Sequence, residues 1–180
     1  WKSYKLSVWK SMIIFENIDQ SEPYIRFQKY YERALQSNQD LPEAMSVSSY
    51  SIENKEVDCR YVNLKYVINK NFIFFSNYES PKAQQFNQHD QISVAFYWSS
   101  INVQIRMKAH IKKTDRSYNI SYFEKRDKNK NALAIASNQS VEIKSYNLVE
   151  KKYSDTLKSN DLTVCPEYWG GYKFSPYYIE

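Results

Sequence analysis

Apolar and polar residues alternate most regularly between Ile101 and Lys113. Ile101, Val103, Ile105, Met107, Ala109 and Ile111 share one face, and Asn102, Gln104, Arg106, Lys108, His110 and Lys112 share the other. A period of two over this length predicts an antiparallel strand with one dry and one wet face. Further strands are predicted at Ala44–Ile52 and Val57–Val67, on either side of a turn at Glu53-Asn54-Lys55. Others follow at Asn71–Ser76, Gln91–Ser99 and Tyr172–Glu180.

Between the strands the period changes. From Ser21 onward, Tyr24, Phe27, Tyr31, Ala34 and Leu35 form one helical stripe, which ends at Asn38 to Pro42. Ser80 is placed to cap a second helix, with Pro81 in the first helical position, where proline is best tolerated. Helices are also predicted from Asp115 to Arg126, near Ala132–Ser137 and from Val141 to Ser159. Residues 1–20 read as an N-terminal arm and residues 21–180 as one domain, without repeat or linker. The sum is a mainly-β or α+β chain, an antiparallel barrel with helices packed outside it.

Composition narrows this picture. Gly170 and Gly171 are the only glycines, so turns must come from Asn, Asp and Ser. Tyrosine is abundant, with 17 residues, more aromatic surface than one small core must absorb. Cys59 and Cys165 make neither a metal-ligand spacing nor a disulfide framework, which points to a reducing, cytoplasmic setting. No apolar run approaches membrane-spanning length. The net charge of +5 is dispersed, without the basic run or interleaved aromatics of a nucleic-acid module. The chain begins at Trp1, so the natural start is expected to lie upstream.

Few residues are arranged for side-chain catalysis. His89 and His110 have no Ser-His-Asp or Cys-His context, no metal-ligand cluster appears, and no glycine-rich phosphate loop is possible. Anion chemistry is better represented. Arg60 and Lys65 share a strand, Ser76 ends the next, and Ser80 and Lys82 open the following helix. Each reads equally well as a solvated residue or a cap; together they surround one strand-to-helix junction with positive charge and donors. Tyr122 and Arg126 are four apart on a predicted helix, either a surface stacking pair or a second phosphate grip. Gln139 and Ser140 begin a helix and carry donors for a polar ring edge.

At these residues the sequence resembles the pyridoxamine 5′-phosphate oxidase family. The resemblance is carried by Arg60-Tyr-Val-Asn-Leu-Lys65, Phe74-Phe-Ser-Asn-Tyr-Glu-Ser-Pro-Lys-Ala83, Phe96-Tyr-Trp98, Gln104-Ile-Arg106, Tyr122-Phe-Glu-Lys-Arg126, Ala136-Ser-Asn-Gln-Ser140 and Trp169-Gly-Gly-Tyr172, in order over residues 21–180. The opening Trp-Lys-Ser-Tyr and the Phe-Tyr-Trp run look most like animal members.

The resemblance implies an FMN-binding split β-barrel, a homodimer with the flavin between subunits, and oxidation of pyridoxamine or pyridoxine 5′-phosphate to pyridoxal 5′-phosphate. It implies that Arg60, Ser76 and Lys82 hold the FMN phosphate, with Lys65 and Ser80 beside them. Phe75 would offer backbone contact, and Gln104, Gln139 and Ser140 would meet the flavin. Lys65, Tyr122 and Arg126 would grip the substrate phosphate, with Lys130 where the family has serine. No residue is assigned as a general acid or base, and no metal is implied.

Pro81 and Val103 stand where the family has arginine. The family also continues past Ile179-Glu180 into further flavin and substrate contacts, so a longer chain is expected. These departures motivate one alternative, a weak or inactive homologue that binds FMN or pyridoxal 5′-phosphate. A flavin oxidase with another substrate ranks third, since it predicts loss of the Lys65, Tyr122 and Arg126 grip and all three are present.

Overall fold

The computed structural model describes residues 12–137, 143, 145–159 and 161–180. Its strands are β1 (Ile14–Glu16), β2 (Ala44–Ser51), β3 (Glu56–Ile68), β4 (Asn71–Asn77), β5 (Gln91–Trp98), β6 (Val103–Lys113) and β7 (Trp169–Ile179). Its α-helices are α1 (Glu22–Gln36), α2 (Pro81–Gln88), α3 (Arg116–Lys125), α4 (Lys128–Ala136) and α5 (Tyr146–Ser159). Strands run in the order β3-β2-β5-β6-β7-β4, and β4 pairs back onto β3 to close a six-stranded antiparallel barrel. Closure removes the unpaired edges that an open sheet of this size would expose.

β3 makes closure possible because its two halves have different neighbours. Residues 56–63 pair with β2. The following residues pair with β4 on one side, and Tyr66–Ile68 meet β1 in parallel on the other. The ladder to β4 slips between Leu64 and Tyr66, which face Phe74 and Ile73, and Lys65 is the extra residue. This β-bulge bends the strand and re-aims a side chain. Leu64 and Val67 both remain buried inside the barrel, so the inward set keeps its phase across the bulge.

The alternation in β6 appears as expected: Ile105, Met107, Ala109 and Ile111 are buried. α1 lays its apolar stripe over one end of the barrel. The Phe27 ring meets Phe72 at 5.1 Å and Phe96 at 5.3 Å, both edge-on. Edge-to-face pairs of this kind add attraction beyond the area they bury. The Trp98 indole donates to the Pro42 carbonyl at 2.8 Å, so its N–H is satisfied in the core.

Several boundaries differ from the pattern-based reading. The expected arm contains β1, because the Ile13 amide donates to the Tyr31 hydroxyl at 2.7 Å and Ile14–Glu16 pair with β3. β6 begins at Val103, since residues 99–101 form a 3₁₀ turn and Asn102 is left-handed with φ 51°. α4 starts at Lys128, where the Asp127 carboxylate caps the Lys130 amide at 3.1 Å. The last strand begins at Trp169, three residues early, because β4 supplies partners as far as Asn77. Left-handed backbone falls on Asn17, Asn38, Asn69 and Asn102, with Leu41 and Lys55, so asparagine does serve as the turn former.

Ser80 does not cap α2 with its side chain. It is fully buried; its hydroxyl donates to the Asn77 carbonyl at 2.7 Å and accepts from Lys82 Nζ at 3.1 Å. Neither Ser21 nor Asp115 makes a side-chain cap to its helix.

Candidate active site

A cavity of about 700 Å³ opens between the outer face of β1, β3 and β4 and the helices α2, α3 and α4. The bulge delivers Lys65 into it. Phe75 and Ser76 come from β4, Lys82 from the first turn of α2, Tyr122 from α3, Arg126 from its C-terminal end and Lys130 from α4. Among the described residues, Lys65, Lys82, Lys125, Arg126 and Lys130 line the cavity against two carboxylates, Glu16 and Asp127. Such a surplus in a partly dry cleft selects for an anion.

Burial leaves its mark on these cations. Lys65 is pushed down to about 8 by burial, opposed by the Glu43 carboxylate and reinforced by Lys130 and Arg126. Burial lowers Lys82, and the Arg60 charge lowers it further. Arg126 is also lowered by burial, with Tyr122 and Asp127 opposing. Cations strained by desolvation and mutual repulsion gain when an anion arrives among them.

Aromatic rings share the lining, Phe75 and Tyr122 among them, and Trp169 packs behind. Phe75 stacks on Tyr122 at 3.8 Å and 7°, and on Trp169 at 5.1 Å and 6°. The Arg126 guanidinium lies 5.1 Å from the Trp169 ring centre and donates to Asn131 Oδ1 at 3.0 Å. Asn131 is fully buried, and its amide nitrogen donates to the carbonyls of Phe123 and Leu162, both at 2.8 Å. The Asn131 oxygen is therefore committed to Arg126. Burial raises the Tyr122 phenol to about 12, so it stays protonated and able to donate.

Trp169 is fixed by Arg116, which donates to the carbonyls of Cys165 and Pro166 at 2.6 and 2.9 Å. Gly170 and Gly171 follow because space is lacking: a Cβ on Gly171 would come within 2.5 Å of Thr114 Oγ1.

The structure gathers Lys65, Phe75, Ser76, Lys82, Tyr122, Arg126 and Lys130 around one cavity. Arg60 stands behind Lys82, facing into the barrel end rather than lining the cleft. Ser80 also stands behind Lys82, as its hydrogen-bond acceptor. Gln104 is elsewhere, in a second cleft of about 460 Å³ beside α1. Gln139 and Ser140 lie outside the described residues. Gln85 and Asn131, the buried amides that hold Arg60 and Arg126, were not singled out from sequence. In sequence alone they are ordinary polar residues of short helices. Among the described residues no group of His, Cys, Asp and Glu is arranged to hold a metal ion.

The cleft thus has the charge of a candidate anion site on the outside of a closed split barrel, with cations and stacked aromatic rings in one lining. A family model for pyridoxamine 5′-phosphate oxidase matches residues 32–158. Pyridoxine/pyridoxamine 5′-phosphate oxidase 1 of Hydrogenovibrio crunogenus is 34% identical over 162 residues, spanning 89% of this chain and 74% of that protein. The corresponding oxidase of Rippkaea orientalis is 31% identical over 161 residues, spanning 88% and 76%. Among solved structures, PhzG from Burkholderia lata superposes with a TM-score of 0.80 at 20% identity, covering 89% of this chain and 79% of that one. A pyridoxamine 5′-phosphate oxidase-related, FMN binding protein from Nostoc punctiforme gives 0.68 at 13% identity, covering 85% and 81%. These two structural likenesses establish the fold. The chain belongs to the pyridoxamine 5′-phosphate oxidase family, a family of oxidoreductases.

Proposed function

We propose that this protein binds FMN and oxidises pyridoxamine or pyridoxine 5′-phosphate to pyridoxal 5′-phosphate, with oxygen as final acceptor and hydrogen peroxide released. The observation that carries this reading is the cationic cleft set against the Phe75–Tyr122–Trp169 stack. The donor set fits FMN: Lys82 and Ser76 line one part of the cleft, with Arg60 behind them, as a phosphate monoester requires. FMN supplies the two-electron acceptor that these side chains lack.

The chain's own residues orient and bind. Lys65, Arg126 and Lys130 supply positive charge for the substrate phosphate, and the protonated Tyr122 phenol supplies a donor. Tyr122 and Phe75 exclude water from one side. Phosphate held at a fixed distance places the C4′ carbon for oxidation, so the protein's contribution is proximity and charge.

The reading includes a homodimer. Gln104 lies in a different cleft from the main cavity, and a flavin contact there would be made from a second subunit. The outer face of β3, β2 and β5 supports such an interface: exposed Tyr61 and Tyr97 flank small residues, Ser46, Ser48, Ser93 and Ala95. A cytoplasmic location goes with this reading, since both cysteines are free. No described helix is long and apolar enough to cross a membrane.

The test is a titration of the purified chain with FMN, followed by a peroxide assay with pyridoxine 5′-phosphate and with pyridoxine. Stoichiometric flavin binding and peroxide from the phosphorylated substrate alone are expected. Flavin binding without peroxide from either substrate would instead favour a binding protein of weak turnover. The observation behind that second reading is Pro81, which opens α2 without a charge.

A further inference from the structure

Arg60 does not hold its own position. It sits opposite Val47 in the β2–β3 register and turns into the end of the barrel. Its Nη1 donates to Ser49 Oγ at 2.6 Å and to the Val47 carbonyl at 3.3 Å. Its Nη2 donates to Gln85 Oε1 at 3.1 Å, and Asp58 Oδ2 lies 3.7 Å away. Gln85 is buried on α2, only 5% exposed, and every end of its amide is used. Its oxygen accepts from Arg60 and from the Ser49 hydroxyl, and its nitrogen donates to the Asp58 carboxylate.

A primary amide has one accepting end and one donating end. The Asp58 carboxylate can only accept, so it fixes which end of Gln85 faces the guanidinium. Lys82 lies three residues before Gln85 on the same helix and lines the cavity. Arg60 and Lys82 repel each other, and burial sharpens that repulsion. That repulsion favours a guanidinium turned away from Lys82 unless fixed acceptors hold it. Pro81 adds no charge, so no arginine on α2 can substitute for a displaced Arg60.

We propose that Gln85 is a positioning residue for a flavin phosphate: it holds the Arg60 guanidinium beside Lys82, with its own amide oriented by Asp58. The inference rests on the FMN reading above and adds to it the device that keeps two like charges together. It concerns the phosphate end of the ligand alone. A role confined to the phosphate predicts that FMN and riboflavin respond differently.

The full chain, stripped of flavin, is titrated with FMN and with riboflavin, following flavin fluorescence. Gln85→Leu is expected to weaken FMN by about tenfold, the effect of displacing one partly buried positive charge from behind the Lys82 contact, while riboflavin changes by less than about twofold. Asp58→Ala gives a second handle, since the Asp58 side chain is 52% exposed and dispensable for packing. Removing a negative charge near the site would by charge alone tighten an anion. Release of the Gln85 amide predicts the opposite, a loss of FMN affinity of about threefold. If Gln85→Leu does not fold, Asp58→Ala decides. Equal weakening of both ligands, or unchanged or tighter FMN binding, overturns the inference while leaving the FMN reading intact. A wild-type chain that binds neither ligand overturns both.

Discussion

The cost of burying Lys65 opposes the binding role proposed for it, and one substitution separates the two. The bulge in β3 places its ammonium where burial brings it from 10.5 to about 8 despite the Glu43 carboxylate. That difference corresponds to about 3 kcal/mol of destabilisation, at about 1.36 kcal/mol per pH unit. Below about pH 8 both folded and unfolded chains carry the proton, and the folded chain bears the full cost. Between about 8 and 10.5 the unfolded chain still binds the proton and the folded chain has released it, so stability rises with pH. Above that window the cost is gone.

Lys65→Met keeps the length of the stem and removes the charge. It also removes the polar contact Lys65 makes, which reduces the gain. The variant is therefore expected to be more stable than wild type by about 1–3 kcal/mol near pH 7. Its advantage should shrink as pH rises past about 8. Urea unfolding of both proteins at several values between about pH 7 and 9.5 measures this directly. In the same variant, KM for pyridoxine 5′-phosphate should rise about tenfold or more, because one phosphate contact is lost. A variant less stable than wild type near pH 7, or a stability difference that does not change with pH, would refute the assignment of a desolvated, binding-ready lysine.

Two further substitutions probe the frame around the site. Asn131→Leu strands the carbonyls of Phe123 and Leu162 and frees Arg126, so it should cost about 2–4 kcal/mol in thermal unfolding and raise KM more than it lowers kcat. Gly170→Ala would drive a methyl group into the Tyr78 hydroxyl and the Asn119 amide, which are themselves bonded to Gly171. A loss of about 2–3 kcal/mol in chemical denaturation is expected, and a neutral result would contradict that packing.

The barrel was legible because its strands alternate and its helices do not. Ile105 to Ile111 fall inward as their spacing predicts, and Phe27 and Tyr31 mark the buried stripe of α1. The β1 segment was not legible, since three residues are too short for a period and their pairing with β3 is set by distant chain. The cationic set was visible residue by residue, but its depth was not. Lys65 and Lys82 look in sequence like surface lysines, and only the bulge and the first turn of α2 bring them into one cleft. Serine before proline predicts a cap at Ser80; the fold buries it instead, and its hydroxyl donates to the Asn77 carbonyl and accepts from Lys82. Gln85 and Asn131 carry no signal of their own. A buried amide is recognised by what it bonds, and those partners are 25 residues away for Arg60 and on neighbouring helical turns for Arg126.

The Lys65 bulge has one more implication. Leu64 and Val67 point inward on either side of it, with Lys65 and Tyr66 both on the cavity wall. The inward-outward rhythm would be perfect if Lys65 were simply absent: Leu64 in, Tyr66 out, Val67 in. Lys65 is thus a one-residue insertion in the in–out alternation of the strand, and it is the bend at this insertion that turns the strand between its two sets of neighbours. The inward set of β3 and the lysine that lines the cavity are therefore carried by separable positions of the same strand.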